Sequence, residues 1–219
     1  MEYEVIKIDE HTWRIEEEGV RFFLLEGKDK ALLIDSGMKT HNAKEIAKSL
    51  TRLPVELLNT HADIDHIGSN DEFIRFYMNP ADASNFYNTQ KRVGIFIPVN
   101  DGDVLDLGDR ELEIIAIPGH TPGSIAVLDR SRGVMYSGDS IQSGQIFMFG
   151  VQREIHAYIH SLKKLDKYRE RYDIIYPCHG RFPVSPSLIP QLIQAAETVM
   201  KKAAEGKEMT LFGDSVMVY

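Results

Sequence analysis

The chain has a single cysteine, Cys178, and no long run of apolar residues. One cysteine cannot form an intramolecular disulfide, which excludes a secreted fold held together by disulfides. A membrane-spanning helix needs about 20 consecutive apolar residues, so we expect no membrane-embedded part. The N-terminus lacks the basic patch and apolar core of a signal peptide. These absences predict a cytoplasmic protein that does not bind membranes.

Basic side chains are also in the minority. There are 25 Lys and Arg against 33 Asp and Glu, which gives a formal net charge of −8. Nucleic-acid affinity comes largely from clustered Lys and Arg that neutralise phosphates, and the few short basic clusters here lie among acidic residues. The charge therefore predicts a small-molecule partner rather than a nucleic acid. It leaves the oligomeric state open.

The length of 219 residues, with 43% of them hydrophobic, fits one domain over residues 1–219. The predicted elements come as strands followed by helices, twice over, which favours two similar halves packed face to face rather than alternating βαβ units. Helical spacing predicts helices at 42–50, 70–76, 80–87, 154–168 and 187–204. Short β-rich runs predict strands at 5–8, 12–15, 20–25, 31–34, 55–58, 104–107, 112–117, 124–128, 134–137, 173–176 and 215–219.

Four of the predicted strands run into a histidine or an aspartate within a few residues of their ends. These residues are His61, His120, Asp139 and His179. A hydrophobic core does not require such a pattern, whereas a site built on strand ends does. We therefore expect these four side chains to belong to one functional site.

The densest polar cluster is His61-Ala62-Asp63-Ile64-Asp65-His66. Buried carboxylates and imidazoles need partners, so four potential ligands within six residues point to metal binding, with an exposed polar loop as the alternative. Imidazole suits zinc and iron, while carboxylates suit harder ions. The mixed cluster therefore admits several metals.

The order of these blocks resembles the signature of the metallo-β-lactamase superfamily, H-x-H-x-D-H followed by a downstream His, Asp and His. The resemblance extends from about Gly19 to Gly180, and it implies an α/β (α+β) fold, a four-layer αββα sandwich. The turn Ile34-Asp35-Ser36-Gly37 is similar to a strand-end turn of that family. The matching residues are His61, Asp65 and His66, then His120 in PGHTPGS, Asp139 in SGDS and His179 in PCHG.

The resemblance also implies a ligand set and a reaction. His61, residue 63 and His120 would hold a first metal, while Asp65, His66 and His179 would hold a second, with Asp139 as the bridge. We expect two divalent ions, zinc in the first place and iron or manganese as alternatives. The implied reaction is hydrolysis of a small ester, lactone, thioester or phosphoester by a bridging hydroxide, which Asp65 orients or deprotonates.

One position departs from the family signature, because its second histidine is Asp63 in this chain. A carboxylate adds one negative charge, so we expect harder cations to gain at this site and the Lewis acidity of the metal to fall. Asp63 could instead be an outer partner of His61 or His120. The family's di-iron branch has Glu there, which keeps an iron-dependent oxidoreductase open as an alternative. A metal-binding protein without catalysis is a further alternative.

The substrate side of the site is less constrained by the sequence. Phe147, Met148 and Phe149 follow the bridging residue in an apolar loop, and we predict that this loop forms a wall of the substrate pocket. Family members that cleave glutathione thioesters carry an extra C-terminal helical domain, so that substrate is expected less than other small esters. Cys178 is predicted to be a small buried hydrophobe, and His156 is predicted to be exposed or an outer partner.

Overall fold

The computed structural model describes residues 3–204, 207–211 and 214–218. Its first sheet has seven strands and its second has five, and in each sheet neighbouring strands follow one another in sequence order. A separate antiparallel pair, β13 (Lys207–Leu211) and β14 (Asp214–Val218), follows the last helix. The first sheet contains β1 (Glu4–Asp9), β2 (Thr12–Glu17), β3 (Val20–Glu26), β4 (Ala31–Ile34), β5 (Val55–Leu58), β6 (Arg75–Met78) and β7 (Ile95–Pro98). The second contains β8 (Val104–Asp106), β9 (Glu111–Ala116), β10 (Ile125–Asp129), β11 (Val134–Tyr136) and β12 (Ile174–Tyr176).

The two sheets pack face to face and each carries helices on its outer side. Phe23 and Leu32 of the first sheet share one buried cluster with Ile114 and Val127 of the second. Helix α1 (Ala43–Leu50) covers the outer face of the first sheet, while α2 (Ile155–Lys167) and α3 (Leu188–Ala204) cover the second. The predicted αββα sandwich is therefore confirmed. None of the described helices is long and apolar enough to cross a membrane.

Two predicted elements between β5 and β8 differ from the structure. The helix expected at 70–76 is wrong, because only a 3₁₀ turn at Asn70–Glu72 forms before β6 begins. Phe76 and Met78 are buried while Arg75 is exposed, and this alternation is the period of a strand. The segment at 80–87 begins as a 3₁₀ turn and ends within a π-helical turn. Strand β7, which pairs with β6 in parallel, was not predicted.

Strand direction places the candidate site residues at one end of the sandwich. Strands β4 to β7 are parallel to one another in the first sheet. In the second sheet β9 and β11 are both antiparallel to β10, and β12 is parallel to β11. The loops after β5, β9, β11 and β12 therefore start at the carboxyl ends of parallel strands, at one end of each sheet. The Ile125 amide donates to the Thr60 carbonyl oxygen at 2.9 Å, which joins the two edges there.

Candidate metal centre

The seven predicted ligands lie together where the ends of the two sheets meet, and donor atoms of six of them fall into two groups that share Asp139. In one group, donor atoms of Asp65, His66, Asp139 and His179 all lie within 4.8 Å of one another. In the other, donor atoms of His61, His120 and Asp139 meet the same limit. We call Asp65, His66 and His179 the second half-site, and His61, Asp63 and His120 the first half-site.

The two carboxylate oxygens of Asp139 face opposite half-sites. Its Oδ1 lies 3.2 Å from the Nε2 atoms of both His66 and His179. Its Oδ2 lies 3.6 Å from Nε2 of His120 and 4.0 Å from Nε2 of His61. One side chain thus presents one oxygen to each half-site, which is the arrangement that a bridging carboxylate requires.

Asp63 lies beside the two imidazoles of the first half-site. Its Oδ2 lies 3.2 Å from Nε2 of His120 and 3.6 Å from Nε2 of His61. The same oxygen accepts from Arg153, and Oδ1 accepts from Asn85 Nδ2 at 2.9 Å. The Asp63 carboxylate is therefore shared between the imidazoles and two donors outside the predicted set.

Each imidazole of the centre is oriented through its Nδ1 atom. A hydrogen bond at Nδ1 fixes the ring and leaves Nε2 free to act as a ligand. Three of the rings are 1% exposed or less, so a reorientation would bury an unpaired nitrogen. The Nδ1 partners are Thr60 Oγ1 for His61 at 3.0 Å, Asp35 Oδ2 for His66 at 2.8 Å, the Phe147 carbonyl for His120 at 2.9 Å and the Gly19 carbonyl for His179 at 2.5 Å.

Several buried polar atoms at the centre have no hydrogen-bond partner among the described residues. They are Nε2 of His61, His66 and His120, together with Oδ1 of Asp139. A buried polar atom without a partner costs free energy, and native proteins rarely tolerate a cluster of them. Cations coordinated by these nitrogen and oxygen atoms would satisfy all of them. The residues present therefore fit a metal centre.

The ionisation of these groups is coupled to metal binding. Burial works against charge on His179, but its contacts with Asp139 and Asp65 raise its pKa to about 10. Burial likewise opposes ionisation of Asp139, yet the neighbouring charge of His66 and the contacts with His179 and His66 hold the pKa of Asp139 well below its usual range. Without metal the centre therefore holds protons on imidazoles between ionised carboxylates. Metal binding displaces such protons.

Three further residues support the centre and were not among the predicted site residues. Asp35 is buried and orients the His66 ring by accepting a hydrogen bond from its Nδ1 atom. Asp82 is buried as well, and its Oδ2 accepts from the Ala62 amide at 2.7 Å and from Thr121 Oγ1 at 3.0 Å. Asp82 thereby joins the loop of His61 to the loop of His120. Arg153 is the third. The sequence offered a local signal only for Asp35, which lies in the strand-end turn.

A glycine is required directly before Asp139. Gly138 has a φ of +52°, and a Cβ at this position would lie 2.9 Å from Thr60 Oγ1. Only glycine adopts this conformation freely, and only glycine leaves room for the hydroxyl that orients His61. The SGDS block therefore brings β11 close to the loop after β5.

A pocket with a volume of about 460 Å³ opens over the centre. Its lining includes Arg153 and Phe147 together with five of the predicted ligands, Asp63, Asp65, His120, Asp139 and His179. The other two residues predicted for the substrate wall lie elsewhere. Met148 and Phe149 line a second, apolar cavity of about 350 Å³ against α2 and α3. The loop after Asp139 therefore has side chains in both cavities.

Two residues outside the ligand set follow the sequence-based expectation. Cys178 is buried, and burial raises the pKa of its thiol to about 12. Its Sγ lies 3.6 Å from Asp35 Oδ2, so the thiol belongs to the packing behind His66. His156 is exposed on α2 and contacts Glu154 at 2.8 Å.

Residues 16–179 match the family described as the metallo-beta-lactamase superfamily. The chain belongs to this superfamily. A metallo-beta-lactamase from Pontibacter korlensis shares the fold with a TM-score of 0.76 and 17% sequence identity, over 90% of this chain and 99% of that one. The superfamily fold inferred from the signature blocks is thereby confirmed.

Several curated relatives carry the names of hydrolases. A human protein named acyl-coenzyme A thioesterase MBLAC2 is 26% identical over 183 residues, which cover 65% of this chain and 66% of that protein. A protein of Gloeobacter violaceus named hydroxyacylglutathione hydrolase is 30% identical over 125 residues, covering 56% of this chain and 49% of that protein. The chain thus spans less than two thirds of the length of these curated relatives.

Proposed function

We propose that this chain is a metal-dependent hydrolase that holds two divalent cations, zinc in the first place. The observation that carries the proposal is the Asp139 carboxylate, whose Oδ1 and Oδ2 face different groups of imidazole nitrogens. Seven donor side chains are more than one tetrahedral ion can use. His61, Asp63 and His120 would hold one ion, and Asp65, His66 and His179 the other.

The proposed reaction depends on the bound cations and on Asp65 in the pocket. When bound, two divalent cations make hydroxide available near neutral pH and polarise the substrate oxygen. Asp65 is partly exposed in the pocket, and its Oδ2 lies 3.2 Å from His179 Nε2. Burial opposes its ionisation, but His66 and His179 hold its pKa below the usual range. Asp65 is therefore an ionised carboxylate, suited to accept a hydrogen bond from the attacking water and orient it.

For the substrate we propose an acyl thioester. The support is the names of two relatives, one for acyl-coenzyme A and one for hydroxyacylglutathione. The pocket of about 460 Å³ has Ile64 and Phe147 on its walls, which suits the apolar part of a small acyl group. Esters, lactones and phosphoesters are the competing substrates, and the carrier thiol is to be found by testing coenzyme A and glutathione thioesters separately.

The test combines metal analysis with a substrate panel. The chain is purified without added metal, and metal is measured per mole of protein before and after loading with zinc. We expect two ions per chain and faster hydrolysis of a thioester than of matched oxygen esters, lactones and phosphodiesters. The exposed His156→Ala variant is the control that should retain both ions, while His66→Ala should lose metal.

Specific outcomes would overturn this proposal. A single four-coordinate ion with His179 turned away would refute the dinuclear site. Two zinc ions without turnover of any panel member would refute the hydrolase function. Iron in the purified protein, combined with oxygen consumption and no hydrolysis, would favour the oxidoreductase alternative. That alternative uses the same metal ligands for a different reaction.

A further inference from the structure

Arg153 contacts the one ligand position at which this chain departs from the superfamily signature. It lies in the segment directly before α2, 90 positions along the chain from Asp63. Its Nη2 atom donates to Asp63 Oδ2, the oxygen that also faces His120 and His61. Both partners are mostly buried, with side-chain exposures of 13% and 17%.

The Asp63 carboxylate is held on both of its oxygens. Asn85 Nδ2 donates to Oδ1 at 2.9 Å, and Arg153 Nη2 donates to Oδ2. These two contacts fix the plane of the carboxylate, with Oδ2 towards the imidazoles of the first half-site. A carboxylate whose oxygens already accept charged and neutral hydrogen bonds is a weaker electron donor to a cation than a free one. The local surroundings thus moderate the ligand strength of Asp63.

The net charge at this position is also altered by the pair. Aspartate adds one negative charge where the family signature has a neutral imidazole. An arginine side chain is always protonated in proteins, so Arg153 adds one positive charge. Arg153 is the one Lys or Arg among the described residues that line the pocket. The pair Asp63–Arg153 therefore has the same formal charge as a single neutral histidine.

We infer that Arg153 is a positioning residue of the first half-site and that Asp63 and Arg153 together replace the histidine of the family signature. The inference rests on the metal centre of the proposed function. It changes the expectation drawn from Asp63 alone, because the extra negative charge is offset by the guanidinium. The half-site should then retain zinc as readily as a neutral ligand set, and a shift towards harder cations should appear only when Arg153 is removed.

The inference predicts an order of metal affinities. Asp63→His alone leaves the Arg153 charge uncompensated beside a divalent ion, so its zinc affinity at the weaker site should fall by about tenfold or more. The double variant Asp63→His with Arg153→Gln should recover to within about threefold of the parent chain. Arg153→Gln alone leaves the Asp63 carboxylate without its positively charged partner and should raise affinity for Mn²⁺ relative to Zn²⁺. Arg153→Lys retains the positive charge, so its zinc and manganese affinities should stay near those of the parent chain.

Zinc and manganese dissociation constants are measured on the metal-free variants by competition with a chromophoric chelator. Thermal unfolding of the same metal-free samples reports folding separately from metal. Arg153→Gln should lower the Tm of the metal-free chain, because Asp63 loses a buried partner. The matched control is Arg171→Gln, which removes an ion pair with Glu113 that is separate from the pocket lining. It should leave both metal constants unchanged.

The outcomes separate this inference from the proposed function. A parent chain that binds no zinc would overturn both. A parent chain with two zinc ions, but equal zinc affinity in Asp63→His and the double variant, would overturn the Asp63–Arg153 pairing alone. Weaker binding of both metals by Arg153→Gln would show that Arg153 only orients Asp63 and would overturn the charge compensation.

Discussion

The Oδ2 atom of Asp35 accepts a hydrogen bond from Nδ1 of His66 at 2.8 Å. The same oxygen accepts from the Thr60 hydroxyl at 2.8 Å, and that hydroxyl lies 3.0 Å from Nδ1 of His61. A single buried carboxylate therefore orients one imidazole of each half-site. Asp35 has a φ of +64°, a conformation that aspartate and asparagine tolerate better than most residues.

Asp35→Asn should weaken both metals while preserving the shape of the turn. The amide has one acceptor atom instead of two, so it cannot accept both from the Thr60 backbone amide at the Oδ1 position and from His66 and the Thr60 hydroxyl at the Oδ2 position. Loss of such an outer partner typically costs about 10- to 100-fold in metal affinity. Chelator competition on the purified variant measures the effect. Thr60→Val is the control that should affect the first half-site alone, and unchanged affinity in Asp35→Asn would refute this role.

Asp139→Ala should lose both metals and activity together, with the fold largely retained. The reason is that each oxygen of Asp139 serves a different half-site. Asp65→Asn should reduce occupancy of the second half-site only, because Asp65 lies 3.5 Å or less from His66 and His179. Metal analysis and circular dichroism of the two variants test this. A variant Asp139→Ala with two ions and normal turnover would contradict the bridging assignment.

The metal-free chain should lose stability as the pH rises above neutrality. The pKa of His179 is raised from its ordinary value of 6.5 to about 10 by Asp139 and Asp65, against the opposing effect of burial. A raised pKa stabilises the fold fully below pH 6.5, and this contribution is lost as the pH approaches 10. Denaturant unfolding in the presence of a chelator, at pH 6, 8 and 10 or thereabouts, measures the decline.

The control for the pH dependence is His179→Gln, which removes the titrating group. Its metal-free free energy of unfolding should vary less over the same pH range than that of the parent chain. The zinc-loaded parent should also vary less, because a bound cation replaces the proton. Equal pH profiles for the metal-free parent and His179→Gln would show that His179 does not carry the effect.

Cys178 should be inert in the native protein. The side chain is buried, and burial raises the pKa of the thiol to about 12. Because the thiolate is the reactive form, an alkylating reagent at mildly alkaline pH should modify the thiol only after unfolding. Mass spectrometry of treated samples measures this. Cys178→Ala should retain its metals, and rapid native alkylation would contradict the buried position.

The sequence was sufficient for the sandwich and for choosing candidate ligands that the fold brings together, because both depend on short segments. Strands such as β3 and β10 are rich in apolar and β-branched residues, and the signature blocks place a histidine or aspartate after a strand. The helix predicted at 70–76 overlaps β6 at Arg75 and Phe76. This strand of four residues is too short to show a clear period in the sequence, and its pairing with β5 and β7 decides its conformation. Pairing of this kind overrides local propensity.

The supporting residues could not be predicted because they are far from the ligands in sequence. Asp35 precedes His66 by 31 positions, and Arg153 follows Asp63 by 90. Only the packing of the sheets brings these pairs together. The same applies to the apolar loop after Asp139, where the sequence could not indicate which side chains face the pocket. The structure places Phe147 there, and Met148 and Phe149 against the helices.

The half-sites draw their donors from both sheets, since His61 and His66 follow β5 while His120 and His179 follow β9 and β12. A cation held in either half-site would therefore be a covalent-like cross-link between the two halves of the chain. With one cysteine, this chain has no disulfide that could play that part. Binding free energy at such a link is also folding free energy. The concentration of available metal would then affect the stability of the junction between the two sheets, as well as the hydrolytic activity.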